Sequence, residues 1–275
     1  MKKAVTAIVL FDTVFLLLLS VAGSVGGTFG DIAYYFAFII PLILAFFYVR
    51  SCKDQEEKPM PLKLLPNVKS FSYALPLIAP FIAIVFVISF LTSLLLNSLG
   101  FSDMTDVSGN ILYVITKHAL LPAIFEEAVF RFIPIMLLLP YSKKNALVIS
   151  SLLFAAVHCN LFQIPYALAA SFLLSLIAIS TGSIAPCIVI HFLNNIASIL
   201  FMRFSSVPYF HVFFLSGLIL LTFISVAFII IKREKYNQIF IELKKDKCNV
   251  EFTLSLALFI SMTLIIGVMN LWTSL

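Results

Sequence analysis

Seven side chains fall into three short groups whose spacing allows chemistry: Glu126, Glu127 and Arg131, then Phe154 and His158, then His191 and Asn195. A carboxylate and an imidazole are groups that can take up and release protons near neutral pH when their surroundings tune them. A second imidazole and a carboxamide add further hydrogen-bonding groups. Glu127 and Arg131 are four residues apart, so on a helix they share a face in the orientation that favours an ion pair. Glu126 points about 100° away from Glu127 and has no cation at the same helical spacing. One carboxylate is thereby balanced and the other is available. Each group also has a plain structural use. A buried histidine can be a hydrogen-bonded packing residue, an asparagine in a span can tie helices together, and a Glu–Arg pair can be a brace. Their coincidence at one depth favours chemistry over packing.

That depth follows from the elements that carry them. The chain has 275 residues, of which 62% are hydrophobic and 11% charged, and its mean hydropathy is +1.11. Soluble domains carry about 25% charged residues, so this composition points to an integral membrane protein. A bilayer core takes about 20 apolar residues per helix. By that measure spans are expected at 4–23, 32–49, 72–97, 111–139, 145–162, 163–181, 183–203, 209–232 and 252–273. Near-continuous joins around 162 and 182 leave the count at eight or nine. The fold class is all-α, a polytopic transmembrane bundle. The turn at 141–144 makes a hairpin of the fourth and fifth spans, which brings Glu126 and His158 to about the same distance from the turn, with Asn195 and His191 at a similar depth on the seventh span. Pro122 and Pro134 bracket the first motif and can bend its helix.

The basic residues give an orientation. Fifteen fall at the N-terminus and in the segments 50–71, 140–144 and 232–251, against Arg203 alone on the other side. Lys and Arg accumulate on the cytoplasmic face, so the N-terminus is expected in the cytoplasm of a multi-pass cell-membrane protein. The net charge of +5 is accordingly a matter of topology and lipid headgroups, not of nucleic acid. Lys2 and Lys3 followed by an apolar run resemble a signal peptide, but Asp12 within the run favours an uncleaved first helix. Lys117 and His118 are placed to reach the membrane surface. The segment 50–71 reads as a polar linker, and 232–251 reads as partly amphipathic. Cys52, Cys159, Cys187 and Cys248 form no C-x-x-C pair and are expected to be structural thiols. The chain divides into an N-terminal hairpin with its linker (1–70), a core (71–232), and a basic loop with a last helix (233–275).

In order, internal spacing and placement, Glu126-Glu127-x-x-x-Arg131, Phe154-x-x-x-His158 and His191-x-x-x-Asn195 resemble the three-motif signature of the CPBP family, the CAAX prenyl endopeptidases and bacteriocin-processing (Abi) proteins. The likeness covers about residues 111–200. It implies a CAAX-protease-like helical core that cuts membrane-bound peptides or proteins. By the same resemblance Glu126 is the general base, His158 shares its water, His191 and Asn195 are the oxyanion donors, and Glu127, Arg131 and Phe154 support the geometry. No cofactor is implied. A zinc ion held by Glu126, His158 and His191 stays open as an alternative, although the zincin H-E-x-x-H motif is absent. Serine and aspartyl designs fit less well: Ser183 follows Gly182 without a G-x-S-G, and no aspartate pair lies in the spans. Two rivals belong to other classes. One is a non-catalytic bacteriocin-immunity or partner-binding protein. The other is a proton-coupled transporter, which calls for an inverted repeat that the sequence lacks.

Overall fold

A computed structural model describes residues 1–25, 27–51, 68–102, 107–246 and 249–272. Most of the expected linker, together with Cys52 and Cys248, lies outside the described residues. Among those described the chain is wholly helical in its regular elements: α1 (Lys2–Val25), α2 (Gly27–Ser51), α3 (Val68–Ala74), α4 (Ile78–Ser98), α5 (Ile111–Ile115), α6 (Leu121–Glu127), α7 (Ile133–Leu138), α8 (Lys143–Ala156), α9 (Ile164–Thr181), α10 (Ala185–Arg203), α11 (Phe210–Ile231), α12 (Arg233–Lys245) and α13 (Leu254–Trp272). Seven helical stretches are long and apolar enough to cross a bilayer. They are Lys2–Val25, Ile32–Ser51, Val68–Ser98, Ile164–Thr181, Ala185–Arg203, Phe210–Ile231 and Leu254–Trp272.

The fourth and fifth expected spans depart from simple helices for identifiable reasons. In the fourth, π turns at Thr116–Leu120 and Ala128–Phe132 divide the helical run into α5, α6 and α7. Each turn ends two residues before a proline, Pro122 or Pro134, whose missing N–H already breaks the regular ladder. In the fifth, α8 ends at Ala156, six residues earlier than the apolar run suggests. Cys159 adopts a left-handed conformation with φ of 48°. Asn160 Oδ1 then accepts from Phe162 N at 2.9 Å, and Pro165 starts α9.

Two apolar layers hold the bundle. In the first, Val5, Ile8 and Phe15 of α1 and Phe38 of α2 pack with Phe130, Ile149, Leu153 and Phe154. Phe15 and Phe130 meet edge-on at 5.0 Å between ring centres. The N-terminal hairpin therefore shares a core with the motif-bearing helices. In the second, Phe81 and Val85 of α4 pack with Leu174, Ile177 and Ala178 of α9 and with Ile190 of α10. By contrast α11 buries no residue.

Polar contacts close the basic end of the bundle. Asp246, just past α12, accepts from Ser142 Oγ at 2.8 Å and from Lys144 N at 3.1 Å. Ser142 also caps α8 by accepting from Asn145 N at 3.1 Å. Lys143 pairs with Glu242 at 2.6 Å. The amphipathic reading of 232–251 is realised in α12, which turns Tyr236 and Ile239 inward. At the opposite end Arg203 donates to the carbonyls of Val107 and Gly109, each at 2.8 Å.

Candidate active site

Four helical segments converge on one polar layer: α6 with its following π turn, the end of α8, the middle of α9 and the middle of α10. Glu127 and Arg131 are both fully buried and form the expected ion pair. The arginine has further partners on α9. Its Nη2 donates to Ser171 Oγ at 2.6 Å and its Nε to Ser175 Oγ at 3.3 Å. Guanidinium presents a planar fork of donors, so it can bridge two helices while holding one carboxylate. The serines continue the network. Ser175 Oγ lies 3.4 Å from Ser150 Oγ, and Ser150 donates to the carbonyl of Phe130 at 2.8 Å. Residue 134 is a proline and cannot donate back to that carbonyl, so a hydroxyl from α8 takes the place of the missing N–H.

His191 stands between the two glutamates. Its Nδ1 is 2.9 Å from Glu127 Oε1, and its Nε2 is 3.8 Å from Glu126 Oε2. A carboxylate already paired with arginine only accepts, so Nδ1 is the donor and the ring is fixed with Nε2 towards Glu126. The side chain of Glu126 retains 17% exposure where that of Glu127 has none. One carboxylate thus ties helices together, while its neighbour opens towards space that a reactant can reach.

His158 lies two residues beyond the end of α8. Its Nδ1 is 2.8 Å from the carbonyl of Phe154. A carbonyl only accepts, so Nδ1 carries the hydrogen and neutral His158 presents Nε2 as an acceptor. Phe154, 3% exposed, is the hub of the layer. Its ring centre is 5.0 Å from the His158 ring, 5.9 Å from the His191 ring and 5.1 Å from the Arg131 guanidinium. The i,i+4 relation of Phe154 and His158 survives because the carbonyl bond holds the ring against the helix it has just left.

The expected residues are not all in mutual contact. Glu126, Glu127, Arg131, Phe154, His158 and His191 form one connected layer. Asn195 lies one turn further along α10, where its Oδ1 faces Asn194 Nδ2 at 3.5 Å. That contact engages the oxygen and leaves the Asn195 Nδ2 hydrogens as donors. Asp12 is 1% exposed in α1, away from this layer, and its Oδ2 has no hydrogen-bond partner among the described residues. Lys117 is outside the layer as well, with its Nζ 3.2 Å from Tyr113 Oη. Cys159 and Cys187 are free thiols. Among the described residues no group of three or more His, Cys, Asp or Glu side chains is placed to hold a metal ion.

Several contributors escape a reading of the motifs. Ser171 and Ser175 are four apart on α9, a spacing visible in the sequence but ordinary for serines in a span. Asn270 of α13 donates to the carbonyl of Cys159 at 2.9 Å, so the last helix holds the left-handed residue next to His158. From α2, Tyr35 and Phe38 place their rings 6.0 and 5.7 Å from that of Phe125, beside Glu126. No sequence signal links either helix to the motifs.

Fold and site together define a polytopic helical membrane protein with a buried, braced carboxylate–imidazole centre. Residues 107–197 match the family model described as type II CAAX prenyl endopeptidase Rce1-like. That segment contains all three motifs, and over it the chain is similar to the CAAX protease family that the motifs resemble. No curated protein and no solved structure matches the chain.

Proposed function

We propose that the protein is an intramembrane endopeptidase that hydrolyses peptide bonds in membrane-associated peptides or proteins, with its basic end in the cytoplasm. The observation that carries this reading is the placement of His191 between a neutralised carboxylate and a second, partly exposed one. Glu126 takes a proton from water as the water oxygen bonds to the scissile carbonyl carbon. His158 Nε2, an acceptor, holds the other water hydrogen. The carbonyl oxygen becomes an oxyanion, and His191 Nε2–H and Asn195 Nδ2–H donate to it. The C–N bond then breaks, and Glu126 passes its proton to the leaving amine.

Charge counting supports the donor role of His191. Two carboxylates and one guanidinium leave the cluster one negative charge in excess. An imidazolium at His191 makes it neutral and puts a proton on the nitrogen that faces the reacting atoms. A preorganised donor in a water-poor site contributes about 10²–10³ in rate, and a positioned base about 10²–10⁴.

The test is cleavage of a library of membrane-anchored peptides by the detergent-solubilised protein, read by mass spectrometry. The expected result is cleavage by the wild type that a chelator leaves unchanged and that Glu126→Gln abolishes. Cleavage lost to chelator and restored by zinc would move Glu126, His158 and His191 to a ligand role. A cellular phenotype that survives Glu126→Gln, with no peptide cut by either protein, would replace catalysis by an immunity or partner-binding function.

A further inference from the structure

The basic end of the bundle contains a second polar cavity, separate from the carboxylate–imidazole layer. The start of α3, the end of α9 and one face of α12 enclose a cleft of about 450 Å³, lined by Lys69, Tyr73, Ser180, Thr181, Lys235 and Gln238 over an Ile179 and Ile239 floor. The architecture that forms it is fixed by contacts across the chain. Tyr236 of α12 donates to the carbonyl of Tyr73 at 3.1 Å, their rings lie 4.8 Å apart, and Ile239 is buried against Leu147 and Leu176.

The charge of the cleft is positive. Glu242 also lines it, but Lys143 engages that carboxylate at 2.6 Å. Neither Lys69 nor Lys235 has a carboxylate partner among the described residues. Lys235 instead rests 5.4 Å from the centre of the Tyr73 ring. The two ammonium groups and the Gln238 amide are donors that a phosphate anion can use, whereas the Ser180 and Thr181 hydroxyls already donate to the carbonyls of Leu176 and Ile177. The surroundings favour a phosphate borne by a lipid. The helical stretch that supplies Lys69 begins a span and leaves Val68 86% and Leu75 67% exposed, which is apolar surface for acyl chains beside the cleft. Basic pockets between helices at a membrane surface bind anionic headgroups in this manner.

We infer that the cleft between α3, α9 and α12 is a binding site for the phosphate of an anionic phospholipid headgroup, with Lys69 and Lys235 as its two cationic contacts. Occupancy pins α12 to the ends of α3 and α9, so the bound lipid is part of the closure of the bundle at this end. The site does not depend on turnover, and it stands whether or not the polar layer cleaves peptides.

The experiment is native mass spectrometry of the full chain in detergent, titrated with phosphatidylglycerol or with phosphatidylcholine. The wild type is expected to retain phosphatidylglycerol in preference to phosphatidylcholine. The pair Lys69→Gln with Lys235→Gln is expected to lower phosphatidylglycerol retention about thirtyfold, given about 1 kcal/mol per basic side chain at an anionic surface. Lys69→Arg with Lys235→Arg, which keeps the charge, is expected to preserve it. So is Lys2→Gln with Lys3→Gln, which removes two charges from another cleft, beside Tyr48. Equal retention by wild type and the Lys69/Lys235 glutamine pair overturns the assignment. An equal loss from the Lys2/Lys3 pair, or loss in the arginine pair, also overturns it. Displacement of phosphatidylglycerol by inorganic phosphate at equal concentration would assign the cleft to free phosphate instead of lipid.

Discussion

The layer around Glu127 and the helix α11 occupy one bundle under opposite constraints. In the layer, Glu127 and Arg131 have no exposed side-chain surface, and the arginine is held by two serines from another helix. In α11, 22 residues contain no buried position; Phe214 and Leu218 pack against the core from one side, while Phe213, Ile219 and Phe223 are exposed, as lipid allows. Ionisable groups within spans are costly unless they are paired and enclosed. The contrast separates what makes a span from what makes a site. Hydrophobicity alone suffices for α11, whereas the layer needs partners at fixed distances on four segments.

That contrast can be broken first at the ion pair. Arg131→Met leaves Glu127 buried without its cation and is expected to cost about 3–5 kcal/mol, seen as a lower thermal midpoint in detergent. Adding Glu127→Gln should recover much of the loss, because a missing pair costs less than a broken one. Ser171→Ala removes a hydrogen bond to a charged group and should cost about 1.5–3 kcal/mol, measured the same way. Asn270→Ala should cost about 1 kcal/mol and lower cleavage several-fold, because it releases the Cys159 turn that carries His158. At the small end, Phe223→Leu in α11 should stay within about 0.5 kcal/mol. A loss there as large as at Ser171 would erase the distinction between the two regions.

The sequence carries the local part of this arrangement. The Glu127–Arg131 pair follows from four-residue spacing, most spans follow from apolar length, and the hairpin of the fourth and fifth spans brings His158 to the layer that holds Glu126. What it lacks is contact between distant segments. Arg131 meets Ser171 across 40 residues, and Asn270 meets Cys159 across 111. Neither serines in a span nor an asparagine in a last helix signal such partners. The π turn after Glu127 is equally silent, since Pro134 predicts a break but not its form. The stop of α8 at Ala156 depends on a left-handed Cys159, a conformation rare outside glycine and stabilised here by α13. His191 in contact with both glutamates, rather than aligned only with Asn195, is a product of packing between α6 and α10.

The most direct test of the account compares the two adjacent carboxylates. Glu126→Gln and Glu127→Gln would each be purified, and the thermal midpoint and the rate of anchored-peptide cleavage measured on the same samples. The account predicts that Glu126→Gln melts as the wild type does and loses about 10²–10⁴ in rate, while Glu127→Gln loses stability because Arg131 is left buried with an uncharged partner. A Glu126→Gln protein that cleaves at the wild-type rate would contradict it.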